Sequence, residues 1–108
     1  PHLTPMFRGI LSTIYLDLKK GVTQNKIITI LTKKYKNHPF IKIAKPDTFV
    51  STNDAINTNN CIISVCKSKN KDKIILLSAI DNLIKGGSGQ AVQNMNIIYG
   101  FKEQEGLI

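Results

Sequence analysis

Residues 10–18 read ILSTIYLDL and alternate with a period of two. Ile10, Ile14, Leu16 and Leu18 fall on one side, with Thr13, Tyr15 and Asp17 on the other, so a strand is predicted. Gly21 breaks it. From residue 23 the period lengthens. Ile27, Ile30, Leu31 and Tyr35 stand at i, i+3, i+4 and i+8, one apolar stripe of a helix over residues 23–36. Thr23 suits the N-cap. Lys33, Lys34 and Lys36 fall in the last turn, where cations complement the helix dipole. Asn37 and Pro39 stop it.

Residues 40–44 predict a short strand with Ile41 and Ile43 inward, and residues 46–60, polar and rich in Asn, a loop. CIISVCK (61–67) predicts a third strand and KIILLSAI (73–80) a fourth, with a Lys-rich hairpin turn between them. The fourth is apolar at both parities, the mark of a central strand covered on both faces. Gly86-Gly87-Ser88-Gly89 reads as a flexible loop. Residues 89–101 then read as a helix with Val92, Met95, Asn96 and Tyr99 on one side. The order β-α-β-loop-β-β-loop-α is that of an α+β domain with a mixed or antiparallel sheet. One long helix covers one sheet face. The central strand asks for cover on the other as well, which a partner subunit or a further domain would supply.

A chain of 108 residues is one domain's worth. Its 42% hydrophobic and 20% charged residues exclude disorder. No apolar run approaches the ~18 residues of a membrane span. The opening Pro-His-Leu-Thr-Pro has no initiator Met and no signal-peptide pattern, and reads as the middle of something longer. The net charge of +8 raises nucleic acid or an acidic partner as a possibility. Only Arg8 among the fifteen cations is an arginine, however, and the lysines are scattered, as on a solvated surface. Cys61 and Cys66 are an odd number of positions apart on one strand, so they face opposite ways and do not pair. No His or Cys cluster has metal-ligand spacing, so no metal is expected. A reduced, cytoplasmic protein is the expectation.

Candidate chemistry is sparse. His2 sits in a proline-flanked loop, where an imidazole can serve as general base or simply be incidental. Arg8 can fork a carboxylate or phosphate, or lie idle on the surface. His38 flanks a helix end and reads as a cap. Gly86-Gly87-Ser88-Gly89-Gln90 opens a helix, where backbone N–H groups attract anions, but its spacing is that of neither a P-loop nor a dinucleotide fingerprint. A turn with Ser88 as N-cap is the plainer reading. Both cysteines lie in an apolar stretch and read as core.

Three runs resemble a known family. Pro1-His2-Leu3-Thr4-Pro5-Met6-Phe7-Arg8-Gly9-Ile10-Leu11 is similar to a P-H-L-x-P-M-x-R-G-I-L run of the N-acetyl-gamma-glutamyl-phosphate reductases, enzymes of arginine biosynthesis. Thr52-Asn53-Asp54 through Thr58-Asn59-Asn60-Cys61 resembles their T-x-D-V-x-G-T-N-x-C segment. The run from Asp81-Asn82-Leu83 through Gly89-Gln90-Ala91-Val92-Gln93-Asn94-Met95-Asn96 resembles D-N-L-x-K-G-A-A-G-Q-A-V-Q-N-M-N. The runs keep the family's order and together span nearly the whole chain. Asn57 replaces a glycine, Ala55 a valine, and Gly87-Ser88 two alanines. Asn tolerates the left-handed region, so the turn at 57 can survive.

The resemblance implies an NADP-dependent reductase of the glyceraldehyde-3-phosphate dehydrogenase-like semialdehyde dehydrogenases. Its nucleotide-binding domain carries a cysteine nucleophile, and a second α+β domain supplies the base and the oligomer-forming sheet. This chain corresponds to the second domain alone, residues 1–108, with residues 89–108 docking onto the missing one. The family's G-C-Y-P-T nucleophile run is absent, so neither Cys61 nor Cys66 is promoted in its place. In the whole enzyme the cysteine would attack N-acetyl-gamma-glutamyl phosphate, and NADPH would reduce the resulting thioester to the semialdehyde. His2 matches the catalytic acid/base, Arg8 the holder of a substrate anion, and Gly89 and Gln90 the step that meets the nicotinamide. A homo-oligomer through the sheet is expected, and no nucleic acid or membrane. Two other readings stand beside it: a basic module binding RNA or an acidic protein, which leaves the three runs unexplained, and the sister aspartate-semialdehyde dehydrogenase, against which Pro1-His2-Leu3 argues.

Overall fold

The computed structural model describes every residue of 1–108 except Leu3, which falls within the loop expected over residues 1–9. The elements are β1 (Ile10–Asp17), α1 (Gln24–Tyr35), β2 (Ile41–Ile43), β3 (Cys61–Lys67), β4 (Lys73–Ile80) and α2 (Gly89–Tyr99). A 3-10 turn at Thr52–Asp54 and a π-helical turn at Ile84–Ser88 complete the order. The chain is an α+β fold, as the periodicities predict.

The four strands form one mixed sheet in the order β1-β4-β3-β2. β4 is antiparallel to both β1 and β3, while β2 runs parallel to β3. β4, apolar at both parities, is indeed an inner strand. Leu11, Ala79 and Ile62 align across β1, β4 and β3, as do Thr13, Leu77 and Ser64, so these residues share one face. Ile14, Leu76 and Val65 align on the other.

Two crossovers join parallel strands. β1 reaches β2 through α1, and β2 returns one place to β3 through residues 44–60. They cross the sheet in opposite directions, so right-handed connections put them on opposite faces. The second crossover was expected to be only a polar loop. It instead supplies Val50 and Ala55, which pack with Ala79 against Leu11, Ala44, Ile62 and Leu77 in a hydrophobic core. Part of the cover expected from outside the chain therefore comes from within it. On the α1 face Val65 and Ile74 are buried.

α1 begins as predicted, with Thr23 Oγ1 accepting from Lys26 N–H at 3.2 Å. Its stripe is shifted: Ile30 is 55% exposed, while Ile28 is half-buried beside Ile27, Leu31 and Tyr35. The helix lies over the β2–β3 half of the sheet. Ile14 and Leu16, on the edge strand β1, remain 42% and 39% exposed.

The glycine-rich segment is ordered rather than a loop. Asp81 Oδ1 accepts from the N–H groups of Leu83 and Ile84 at 2.8 and 3.1 Å and starts the π-helical turn, which kinks at Gly87 and runs into α2. Ser88 is itself helical and its hydroxyl donates to Leu83 O, so Asp81 does the capping expected of Ser88. α2 turns Gly89, Val92, Gln93 and Asn96 inward. Met95 and Tyr99, expected on the same side as Val92 and Asn96, are 45% and 71% exposed, and Ile97 and Ile98 are exposed with them. Gly100, at φ +71°, closes the helix in the left-handed region that suits glycine.

Candidate active site

The segment before β1 doubles back on it. Gly9 turns the chain with φ +103°, and a Cβ there would lie 2.5 Å from Thr52 Cβ, so only glycine fits. The reversal returns His2 to the strand. His2 N–H donates to Leu11 O at 2.9 Å, and the imidazole Nε2 is 2.8 Å from Thr13 Oγ1. The ring stands at an open cavity of about 310 Å³ lined by His2, Thr4, Met6, Leu11, Val50, Ser51 and Thr52. Thr13 fixes one ring nitrogen, and among the described residues the other has no hydrogen-bond partner. An imidazole held by one nitrogen and open at the other can exchange a proton with a neighbouring group.

Arg8 is placed elsewhere. Its Nη1 donates to Asp81 Oδ2 at 2.9 Å, its side chain is 34% exposed, and it does not line the cavity of His2. Asp81 is wholly buried. Burial alone would raise its pKa. The N–H of Asn57, the Arg8 guanidinium and the N–H groups of Leu83 and Ile84 outweigh that and hold it at about 2. Asn57 presents that N–H from a left-handed conformation, φ +62°, so the substitution noted in the sequence keeps its turn. Asn82 Oδ1 accepts from Gly9 N–H at 2.7 Å. No pattern in the sequence singled out Asp81, Asn82 or Thr13 as neighbours of the candidate residues. For Asp81 and Asn82 the signal is pairing across most of the chain, and for Thr13 the reversal at Gly9, neither of which short spacings carry.

Gly89 and Gln90 lie at a third place. Gly89 is buried, with Asn59 Oδ1 seated where its Cβ would be, 2.4 Å away. Asn59, itself fully buried, donates to Gln93 Oε1, which also accepts from Lys85 Nζ at 2.6 Å. Gln93 Nε2 in turn donates to Glu103. Burial lowers the pKa of Lys85, and nearby Cys61 and Glu103 partly restore it. Gln90 is exposed at the first turn of α2, where its Oε1 accepts from Asn94. For a nicotinamide cofactor, the exposed Gln90 amide offers one hydrogen-bonding group. Gly89 is buried against Asn59 and Ile84. Nothing among the described residues cradles a dinucleotide's phosphates.

Cys61 and Cys66 are free and face opposite ways, as their spacing requires. Cys61 Sγ approaches Ser78 Oγ, and Cys66 Sγ contacts Ser64 Oγ and Thr48 O. Among the described residues no group of three or more His, Cys, Asp or Glu converges on a metal position. No described helix is long and apolar enough to cross a membrane.

Comparison with known families decides the affiliation. A family described as "Semialdehyde dehydrogenase, dimerisation domain" matches residues 1–82. The chain belongs to this family. Three quarters of the semialdehyde dehydrogenase dimerisation domain seen here thus falls within the match, from the His2 reversal through β4 to Asn82. Curated relatives match nearly all of it. A protein of Thermoanaerobacter pseudethanolicus is 49% identical over 107 residues, 99% of this chain and 31% of its own length. One from Clostridium botulinum is 50% identical and one from Staphylococcus aureus 45%, each over the same shares of the two chains. All three are named N-acetyl-gamma-glutamyl-phosphate reductase. The dimerisation domain described here spans less than a third of the length of these relatives.

Proposed function

We propose that this chain is the part of an N-acetyl-gamma-glutamyl-phosphate reductase that carries the catalytic acid/base and the subunit contact. The observation that carries this reading is the His2 imidazole, anchored on Thr13 at the mouth of an open cavity, within a family-matched segment. The rest of the enzyme would supply a cysteine nucleophile and hold NADP(H), and that cofactor, when bound, supplies hydride. This chain's residues do the remaining work. His2 takes the thiol proton as the nucleophile is activated and then exchanges a proton with the oxygen or the leaving sulfur of the hemithioacetal. With Arg8 Nη1 on Asp81, the remaining N–H groups of the guanidinium hold a substrate carboxylate or phosphate. The exposed amide of Gln90 meets the nicotinamide, and Gly89 lets Asn59 pack beneath that corner.

Exposed Met95, Ile98 and Tyr99, at i, i+3 and i+4, give α2 an apolar side for the nucleotide-binding domain, and the β1–β4 half of the sheet supplies the subunit contact. Two free cysteines suit a reducing compartment such as the cytoplasm. The test is His2→Asn in the whole enzyme. A positioned proton-transfer group contributes ~10²–10⁴-fold, so kcat should fall by that order with the unfolding midpoint little changed. A rise in KM at constant kcat would make His2 a binding residue and place the base elsewhere.

A further inference from the structure

The reversal that delivers His2 is held from the end of the neighbouring strand β4, distant in sequence but adjacent in the sheet. Two adjacent residues at the end of β4 grip two adjacent residues of the turn: Asp81 Oδ2 takes Arg8 Nη1, and Asn82 Oδ1 takes Gly9 N–H. On its other side Gly9 lies against Thr52, whose hydroxyl also reaches Met6 Sδ at 4.0 Å. The free end of the segment meets β1 through two His2 contacts, its N–H to Leu11 O and its ring to Thr13. We propose that Asp81 and Asn82 are positioning residues for His2, fixing through Arg8 and Gly9 the reversal that aims the imidazole into its cavity.

The inference rests on the reading of His2 as acid/base, and extends it to residues that touch neither substrate nor cofactor. Four donors converge on buried Asp81, from residues 8, 57, 83 and 84, so one carboxylate ties the His2 segment to the turn at Asn57 and to the start of the π-helical turn. Asn82 has a narrower task, because its described bond is to Gly9 alone. That makes it the cleaner position to test.

The experiment compares Asn82→Ala and Asn82→Asp in the whole enzyme with wild type, after circular dichroism has shown both folded. Misplacing a catalytic group by about 1 Å can cost up to ~10²-fold, so Asn82→Ala should lower kcat by roughly 10- to 100-fold while substrate KM changes by less than about twofold. Asn82→Asp keeps an oxygen for the Gly9 N–H and should recover most of the lost kcat, which a general loss of packing would not allow. A second readout needs no activity. With isotope-labelled histidine, the wild-type His2 ring should show one tautomer with Nε2 bonded to Thr13, and Asn82→Ala should shift it towards free imidazole while His38 stays unchanged. Unaltered kcat and His2 resonances in Asn82→Ala would overturn the proposal, as would a loss that Asn82→Asp does not recover. If His2→Asn leaves kcat at the wild-type value, the acid/base reading fails instead, and the ring resonances still decide whether Asn82 holds His2.

Discussion

A carboxylate without solvent contact needs its charge met from several sides, and Asp81 has four donors for its two oxygens. Its pKa is held at about 2, below the ordinary value of 3.8. The folded state therefore binds its proton less readily than the unfolded chain does. The resulting stabilisation is fully present above the unfolded value and is lost as pH falls through the interval from 3.8 towards 2. Its size is about 2 kcal/mol, since each tenfold weakening of proton binding is worth ~1.4 kcal/mol. Urea unfolding followed between pH 5 and 2 should show that loss in the wild type and a flatter dependence in Asp81→Asn, which is less stable at neutral pH. Equal slopes in the two proteins would assign the titration to other carboxylates. At this scale the sequence revealed His2 and Arg8 as chemically capable, but not what holds them. Arg8 and Asp81 are separated by most of the chain, and only folding brings the guanidinium to the carboxylate.

Elements with a strong period were legible, and those built from long-range pairing were not. β3 and β4 run as predicted, because their apolar residues come in short runs bounded by polar turns. α1 is recognisable from its stripe, although Ile28 takes the place expected of Ile30. The 46–60 crossover defied the reading because Val50 and Ala55 suffice to cover Ala79 from within a mostly polar stretch. The glycines at 86–89 suggested freedom, but Asp81 caps the turn there and Asn59 fills the space above Gly89. Gly89→Ala tests that close approach. The new Cβ would meet Asn59 Oδ1 at 2.4 Å, Ile84 Cγ2 at 2.6 Å and the Ile84 carbonyl at 2.8 Å. A backbone oxygen does not move aside cheaply, so a loss of about 1–3 kcal/mol is expected in denaturant unfolding. Gly86→Ala, where the nearest atom is 3.4 Å away, is the control and should cost less. Equal losses would show that the contacts with Asn59 and Ile84 do not set the cost.

For the whole molecule, the sheet has two faces in different states. Leu77 packs against the Val50–Ala55–Ala79 core, whereas Leu76 lies on the opposite face, aligned with half-exposed Ile14. A lysine placed at each position reads the two faces separately. Leu77→Lys puts a charge into the core and should unfold the protein, since an unpaired buried charge costs ~3–5 kcal/mol. Leu76→Lys should leave the whole enzyme folded but with a smaller mass in light scattering, because the proposed subunit contact lies on the β1–β4 part of that face, which α1 leaves uncovered. Circular dichroism on both variants separates unfolding from dissociation. If Leu76→Lys keeps the wild-type mass, the subunit contact lies off this face.

The register of β1 against β4 has a further consequence. Ile10 pairs with Ile80 and Asp17 with Lys73, so the strand near the start of the chain waits for one near its end. β3 and β4, by contrast, meet across one short turn. The entropy of closing a loop grows only with the logarithm of its length, about 0.6 kcal/mol for each doubling. Once β1 must span so much chain, a few residues more or fewer between its end and β2 change the closure entropy very little. Exposed Lys19, Lys20 and Gly21, in the turn before α1, are therefore where this architecture can absorb insertions at small thermodynamic cost. The four residues from Arg8 to Leu11 have no such latitude. One added residue there would move every later side chain of β1 to the opposite face and carry His2 away from Thr13.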